Sequence, residues 1–164
     1  MTAATAIRLK RIVEHAARAL AALDDTAASR APAAGKWSPK QVIGHLIDSA
    51  TVNHQRFLQA AGGASLVFET YDQDRFVELQ EPSGVPWVDL LDLWRLLNEH
   101  VARVMELTPE PVLTRLHVVH NLHQIAFRLV PAEEAATLDY LMGDYVEHLL
   151  HHLHQIDPAL ASDA

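Results

Sequence analysis

The sequence predicts an all-α protein, a four-helix bundle with long connections after its second and third helices. Four segments of about twenty residues repeat their apolar side chains every three to four positions, the period of a helix with one buried face. Capping and stop signals bound them, most clearly Ser38-Pro39 before one and Asp157-Pro158 after another. The chain has 164 residues and no internal repeat, which suits a single domain over residues 1–164 with a substantial core. Four helices, each about 30 Å long, bury their stripes most directly against one another.

The first helix is expected from Ala4 to Leu23, with Leu9, Ile12, Val13, Ala16, Leu20 and Leu23 at helical spacing. The second runs from Pro39 to Ala61. Ser38 is its N-cap, Pro39 its first residue and Gln41 the partner that completes a capping box, and Gly62-Gly63 ends it. The third spans Trp87 to Leu107 and stops at Thr108-Pro109, because the residue before a proline avoids helical geometry. The fourth covers Thr137 to Ile156, its stripe formed by Leu138, Leu141, Met142, Tyr145, Leu149, Leu153 and Ile156. Between the second and third helices, Leu66 to Pro86 exceeds a usual helix connection. Its segment Tyr71 to Phe76 suggests a short helix or turn over one end of the bundle, bordering a pocket. In Arg115 to Pro131, His117, His120 and His123 are spaced by three, while Ile125, Phe127 and Leu129 alternate as a strand would. A packed loop or hairpin is expected there, because that histidine spacing suits neither one helix face nor a recognised ligand pattern.

Composition excludes several function classes. The formal charge of −8, from 21 acidic and 13 basic residues, disfavours nucleic acid, whose binders concentrate basic side chains. The absence of cysteine removes thiolate metal sites, disulfides and a protein-borne thiol nucleophile. The N-terminal segment interrupts its apolar pattern with charges, so neither a signal peptide nor a membrane span is expected and the protein reads as soluble and cytoplasmic.

The chemistry-bearing motif is EHLLHHLHQI, Glu147 to Ile156. His148 and His152 stand four apart, hence one above the other on a helix face, and two imidazoles so placed can point at one metal ion. His152 projects into the apolar stripe and His148 onto its edge, whereas His151 and His154 project to the polar side. The pair alone leaves open a core-polar reading, since a transition metal wants at least three protein ligands. Leu149 follows His148, so the HExxH glutamate base of zinc proteases is absent.

The segment Gly35 to Phe57, GKWSPKQVIGHLIDSATVNHQRF, resembles the second helix of the DinB/YfiT-like superfamily, and EHLLHHLHQI resembles its fourth. Tyr71 to Val77 is similar to the YfiT-type segment after the second helix. This resemblance implies a metal-binding four-helix bundle with a three-histidine site carried by His45, His148 and His152. Judged by its own helix, His45 projects beside Val42, off the stripe of Leu46, Ala50 and Phe57, and reads as half-exposed. His54 and His100 match no ligand position, and His15 reads as a surface or interface residue.

Three neutral imidazoles would leave a divalent ion its full charge and an open position, the arrangement of a catalytic site. Zinc fits this ligand set first and nickel second. At the open position water loses a proton near pH 7, and an incoming thiol binds as thiolate. Asp48, Asp144 and Gln155 are candidates to accept the second imidazole N–H. The resemblance implies a metal-dependent enzyme acting on a small molecule, foremost a thiol S-transferase-like protein that activates an exogenous low-molecular-weight thiol. A metal-dependent hydrolase and a non-catalytic, metal-stabilised binding bundle are the alternatives, and a homodimer is implied. Substrate, reaction and any role of His117, His120 and His123 lie beyond the sequence.

Overall fold

The computed structural model describes residues 2–63 and 65–161, and all its regular structure is helical. Eight α-helices follow in order: α1 (Thr2–Leu20), α2 (Asp25–Ser29), α3 (Pro39–Gly62), α4 (Gln73–Gln80), α5 (Trp87–Leu107), α6 (Glu110–Leu113), α7 (Leu122–Ile125) and α8 (Leu138–Ile156). The long helices α1, α3, α5 and α8 form the bundle. Helix α1 packs against α5 and α8, and so does α3, so α1 faces α3 across one diagonal and α5 faces α8 across the other. The apolar stripes predicted for these helices meet in one core that includes Leu9, Ile12, Phe57, Trp94, Met105 and Leu149. None of the helices among the described residues is long and apolar enough to cross a membrane.

The predicted start of α3 is observed. The Ser38 hydroxyl accepts from the Gln41 backbone N–H, and the Gln41 side chain accepts from the Ser38 N–H. Such a box satisfies two N–H groups that a helix otherwise leaves unpaired. Thr137 caps α8 by accepting from the Tyr140 N–H. Helix α1 ends at Leu20 rather than at the expected Leu23. The Trp87 indole N–H donates to the Leu20 carbonyl at 3.0 Å, and Asp24 caps α2 by accepting from Ala27. Helix α2, which the apolar pattern did not signal, is then tied down through Asp25. The Asp25 carboxylate accepts from the buried Lys40 ammonium and from the Trp87 backbone N–H at 2.8 Å, joining α2, α3 and the start of α5.

The expected short element after the second helix is α4, capped by Asp72, and a 3-10 turn at Pro82–Gly84 follows it. Pro82 is buried beneath α3 opposite Gly44, where a β-carbon would lie 2.9 Å from the proline ring. Where a packed loop or hairpin is expected, the segment forms α7 and then irregular chain, with isolated bridges linking Leu66 to His120 and His117 to Ala136. Of its alternating apolar side chains Ile125 is half-buried, while Phe127 and Leu129 are exposed.

Candidate metal centre

Helix α3 delivers His45 and helix α8 delivers His148 and His152 to one point in the bundle. The Nε2 atom of His148 lies 3.3 Å from Nε2 of His45 and 3.1 Å from Nε2 of His152. These three residues form the one group of histidine and carboxylate side chains among the described residues whose ligand atoms converge. His45 is fully buried, His152 is buried and His148 is half-buried. The expectation of a half-exposed His45 is therefore corrected. Trp37, ahead of α3, and His148 and His152 of α8 pack against the His45 ring, with centroids 5.3, 5.2 and 4.4 Å away.

The contacts around the triangle set the protonation of its rings. The Nδ1 atom of His152 is 3.0 Å from the Gln155 side-chain oxygen, and the Gln155 amide nitrogen is 3.2 Å from Nε2 of His151. With the amide oxygen as acceptor, His152 carries its proton on Nδ1 and turns the Nε2 lone pair into the triangle. Nδ1 of His148 is 3.3 Å from the hydroxyl of Ser49, a buried residue on α3. Nδ1 of His45 is buried with no partner. Burial, the largest effect, lowers the pKa of all three imidazoles, and the neighbouring rings add to it for His45 and His148, both lowered to about 3. The triangle is therefore neutral at ordinary pH, with its lone pairs available.

The spacing fits a tetrahedral ion. Imidazole nitrogens at 2.0–2.1 Å around such an ion stand about 3.3 Å apart, close to the two separations found. Hydrogen bonding alone accounts for less. Nε2 of His148 has either one N–H or one in-plane lone pair, so it can make one well-directed bond but not both contacts at once. A cation accepts all three lone pairs together.

Two cavities border the triangle, and Gln73 lies in the lining of both. A chamber of about 240 Å³ touches His148 and Ser49 and is walled by side chains including Arg56, Tyr71, Phe127 and Tyr145. A cleft of about 490 Å³ touches His152 and Gln155 and is bordered by Lys36 and Trp37. Tyr71 and Gln73, at the start of α4, give the chamber the border expected from that connection.

Gln155 takes the accepting role foreseen for it, but Asp48 and Asp144 do not. Asp144 accepts from the backbone N–H groups of Phe127 and Arg128 at 2.8 and 2.7 Å, which fixes the loop forming one chamber wall. Asp48 turns toward Gln80 of α4, and one of its oxygens is buried without a partner. Ser49 was missed, because one serine among helical residues carries no pattern. His120 is structural: its Nδ1 accepts from the Leu122 N–H, so its Nε2–H donates to the Glu134 carbonyl at 2.6 Å. His54 and His100 stack on each other at 4.8 Å near the bundle surface, and His15 lies near the Ala159 carbonyl.

The sequence model of the DinB superfamily matches residues 8–156. No curated protein matches significantly. Among solved structures, YfiT from Bacillus subtilis, reported as "a probable metal-dependent hydrolase with an unusual four-helix bundle topology", superposes with a TM-score of 0.77 at 21% identity, over 97% of this chain and 85% of that one. The mycothiol-dependent maleylpyruvate isomerase superposes with a TM-score of 0.63 at 11% identity, over 98% of this chain and 59% of that one. At these identities the two likenesses establish the shared fold.

Proposed function

The chain belongs to the DinB superfamily, and from that premise we propose that it is a metal-dependent enzyme of the thiol S-transferase type. His45, His148 and His152 hold a divalent transition ion, zinc in the first place and nickel in the second. The observation that carries this reading is that two cavities border the triangle, the chamber at His148 and the cleft at His152. A transfer reaction must bring two molecules to one centre, and two approaches to three ligand atoms provide for that. The absence of cysteine requires that a sulfur nucleophile come from solution. The mycothiol dependence of one structural relative agrees with a low-molecular-weight thiol as that nucleophile.

In this mechanism an ion held by three imidazoles supplies Lewis acidity to a small ligand at its open position. Everything else falls to the chain. Gln155 fixes the tautomer of His152, and Ser49 orients His148. Phe127 and Tyr145 give the chamber an apolar wall, which limits water and strengthens the local electrostatics. Asp144, the chamber's carboxylate, is held by two backbone N–H groups. That favours a role as wall support over one as general base, and so favours the transferase over the hydrolase.

The same reading makes the chain 1–164 one domain acting in the cytoplasm on small molecules. A homodimer through the outer faces of α1 and α5 suits their exposed Ile7, Val88, Leu93 and Leu96, and light scattering would read a doubled mass. The functional test uses cobalt-substituted protein titrated with mycothiol, glutathione and cysteine. A saturable change in the visible spectrum with at least one thiol is expected. A spectrum indifferent to all three, together with hydrolysis of ester or amide substrates without thiol, would replace the transferase by the hydrolase.

A further inference from the structure

The chamber beside His148 holds a charge that the protein does not neutralise. Arg56 of α3 is 7% exposed. Its Nη2 donates to the Glu69 carbonyl at 2.7 Å, and its guanidinium carbon lies 5.8 Å from the Phe68 ring centroid. Its Nε–H is buried with no partner, and no carboxylate among the described residues forms an ion pair with it. A guanidinium stays protonated in proteins, and a buried charge without a counter-charge is costly. Binding the backbone carbonyl of Glu69 needs only one of its five donors, and a neutral amide side chain would meet that demand with less desolvation. Arg56 lines the chamber that Ser49, Tyr71 and His148 also line.

We propose that Arg56 anchors the carboxylate of a small substrate, which the chamber then presents to the histidine triangle. An N–H from each of its two Nη groups matches the two oxygens of a carboxylate in a paired geometry that a lysine cannot reproduce, and the buried Nε–H beside them reports on their occupancy. The chamber's volume of about 240 Å³ has room for a compact organic acid. Opposite the charged end, Phe127, Leu141 and Tyr145 offer an apolar wall to the acid's carbon skeleton. The inference deepens the transferase reading, on which it rests for the reacting centre, by giving the second substrate a chemical class.

The test is a titration of the protein, metal-free and zinc-loaded, with sodium propionate, propionamide and sulfate. It is followed by the Arg56 Nε–H signal in proton–nitrogen spectra, assigned in the wild type by through-bond correlation to the Arg56 side chain and checked by its loss in Arg56→Lys. A saturable shift with propionate is expected, with propionamide at least tenfold weaker and Arg56→Lys weakening propionate at least tenfold. If Arg56→Lys does not fold, the comparison of propionate with its neutral isostere in the wild type still decides. An Nε–H signal that ignores propionate, or that responds equally to propionamide, overturns the anchor. Sulfate binding as tightly as propionate would make this a general anion site and overturn the carboxylate assignment. An unmoved Nε–H in protein that holds zinc refutes the anchor alone. A saturable shift in protein that refuses zinc sustains the anchor and refutes the metal reading.

Discussion

Gln155 offers the sharpest quantitative test of how the triangle is organised. Its side-chain oxygen accepts from Nδ1 of His152 at 3.0 Å, which keeps the His152 Nε2 lone pair facing inward. Gln155→Leu removes that acceptor. A neutral hydrogen bond contributes about 1 kcal/mol, roughly fivefold in the population of the required tautomer. Loss of partners behind metal-bound histidines weakens metal affinity about 10–100-fold in general. Gln155 is exposed, so water can take up the orphaned Nδ1–H, and the lower end applies. Five- to tenfold weaker zinc binding is therefore expected, measured by competition with a fluorescent chelator. Gln155→Glu should act oppositely, because a carboxylate accepts the same N–H in a bond about twice as strong. Both variants should unfold in urea within about 0.5 kcal/mol of the wild type, as surface substitutions do. Equal zinc affinity in wild type, Leu and Glu variants would refute the tautomer argument. A loss far beyond a hundredfold in Gln155→Leu would refute it from the other side, by making Gln155 itself a ligand.

His120→Ala strips a buried bridge between the Leu122 N–H and the Glu134 carbonyl and should cost about 1–3 kcal/mol in urea unfolding, with metal stoichiometry unchanged. Gly143→Ala, with nothing within 4 Å of the added carbon, should stabilise α8 by roughly 1 kcal/mol. Gly44→Ala should fail to gain that amount, since its β-carbon would meet the Pro82 ring at 2.9 Å. The folded-state pKa values of His45 and His148 fall to about 3, below an ordinary 6.5 when unfolded. Between these values the unfolded chain binds more protons. Metal-free protein should therefore lose stability on acidification from pH 6.5 toward 3, by up to about 1.4 kcal/mol per pH unit for each of the two histidines, and urea midpoints independent of pH there would contradict this.

Local signals in the sequence predicted the long helices well. The Ser38 box and the Thr108-Pro109 stop depend on residues within a turn of one another, and such chemistry survives tertiary context. The pairing of His148 with His152 is equally local, a matter of one helical turn. His45 is different, because its burial depends on Trp37 and on His148 and His152 of α8 packing against it, and no periodicity within α3 encodes that. The role of Asp144 was hidden for the same reason: its partners, the N–H groups of Phe127 and Arg128, come from a loop whose alternating residues imitate a strand. Arg56 gave no signal either, since a charged residue within an amphipathic helix ordinarily reads as solvated, and only the surrounding segments remove it from water.

The central claim is that three histidines from two helices share one ion. Its most direct test is metal content by mass spectrometry on tag-free protein purified without chelators, beside His45→Ala and His148→Ala variants verified as folded. The account predicts about one zinc or nickel per chain in the wild type and loss of that ion in both variants. Wild-type protein that is metal-free and still refuses added zinc and nickel would contradict it.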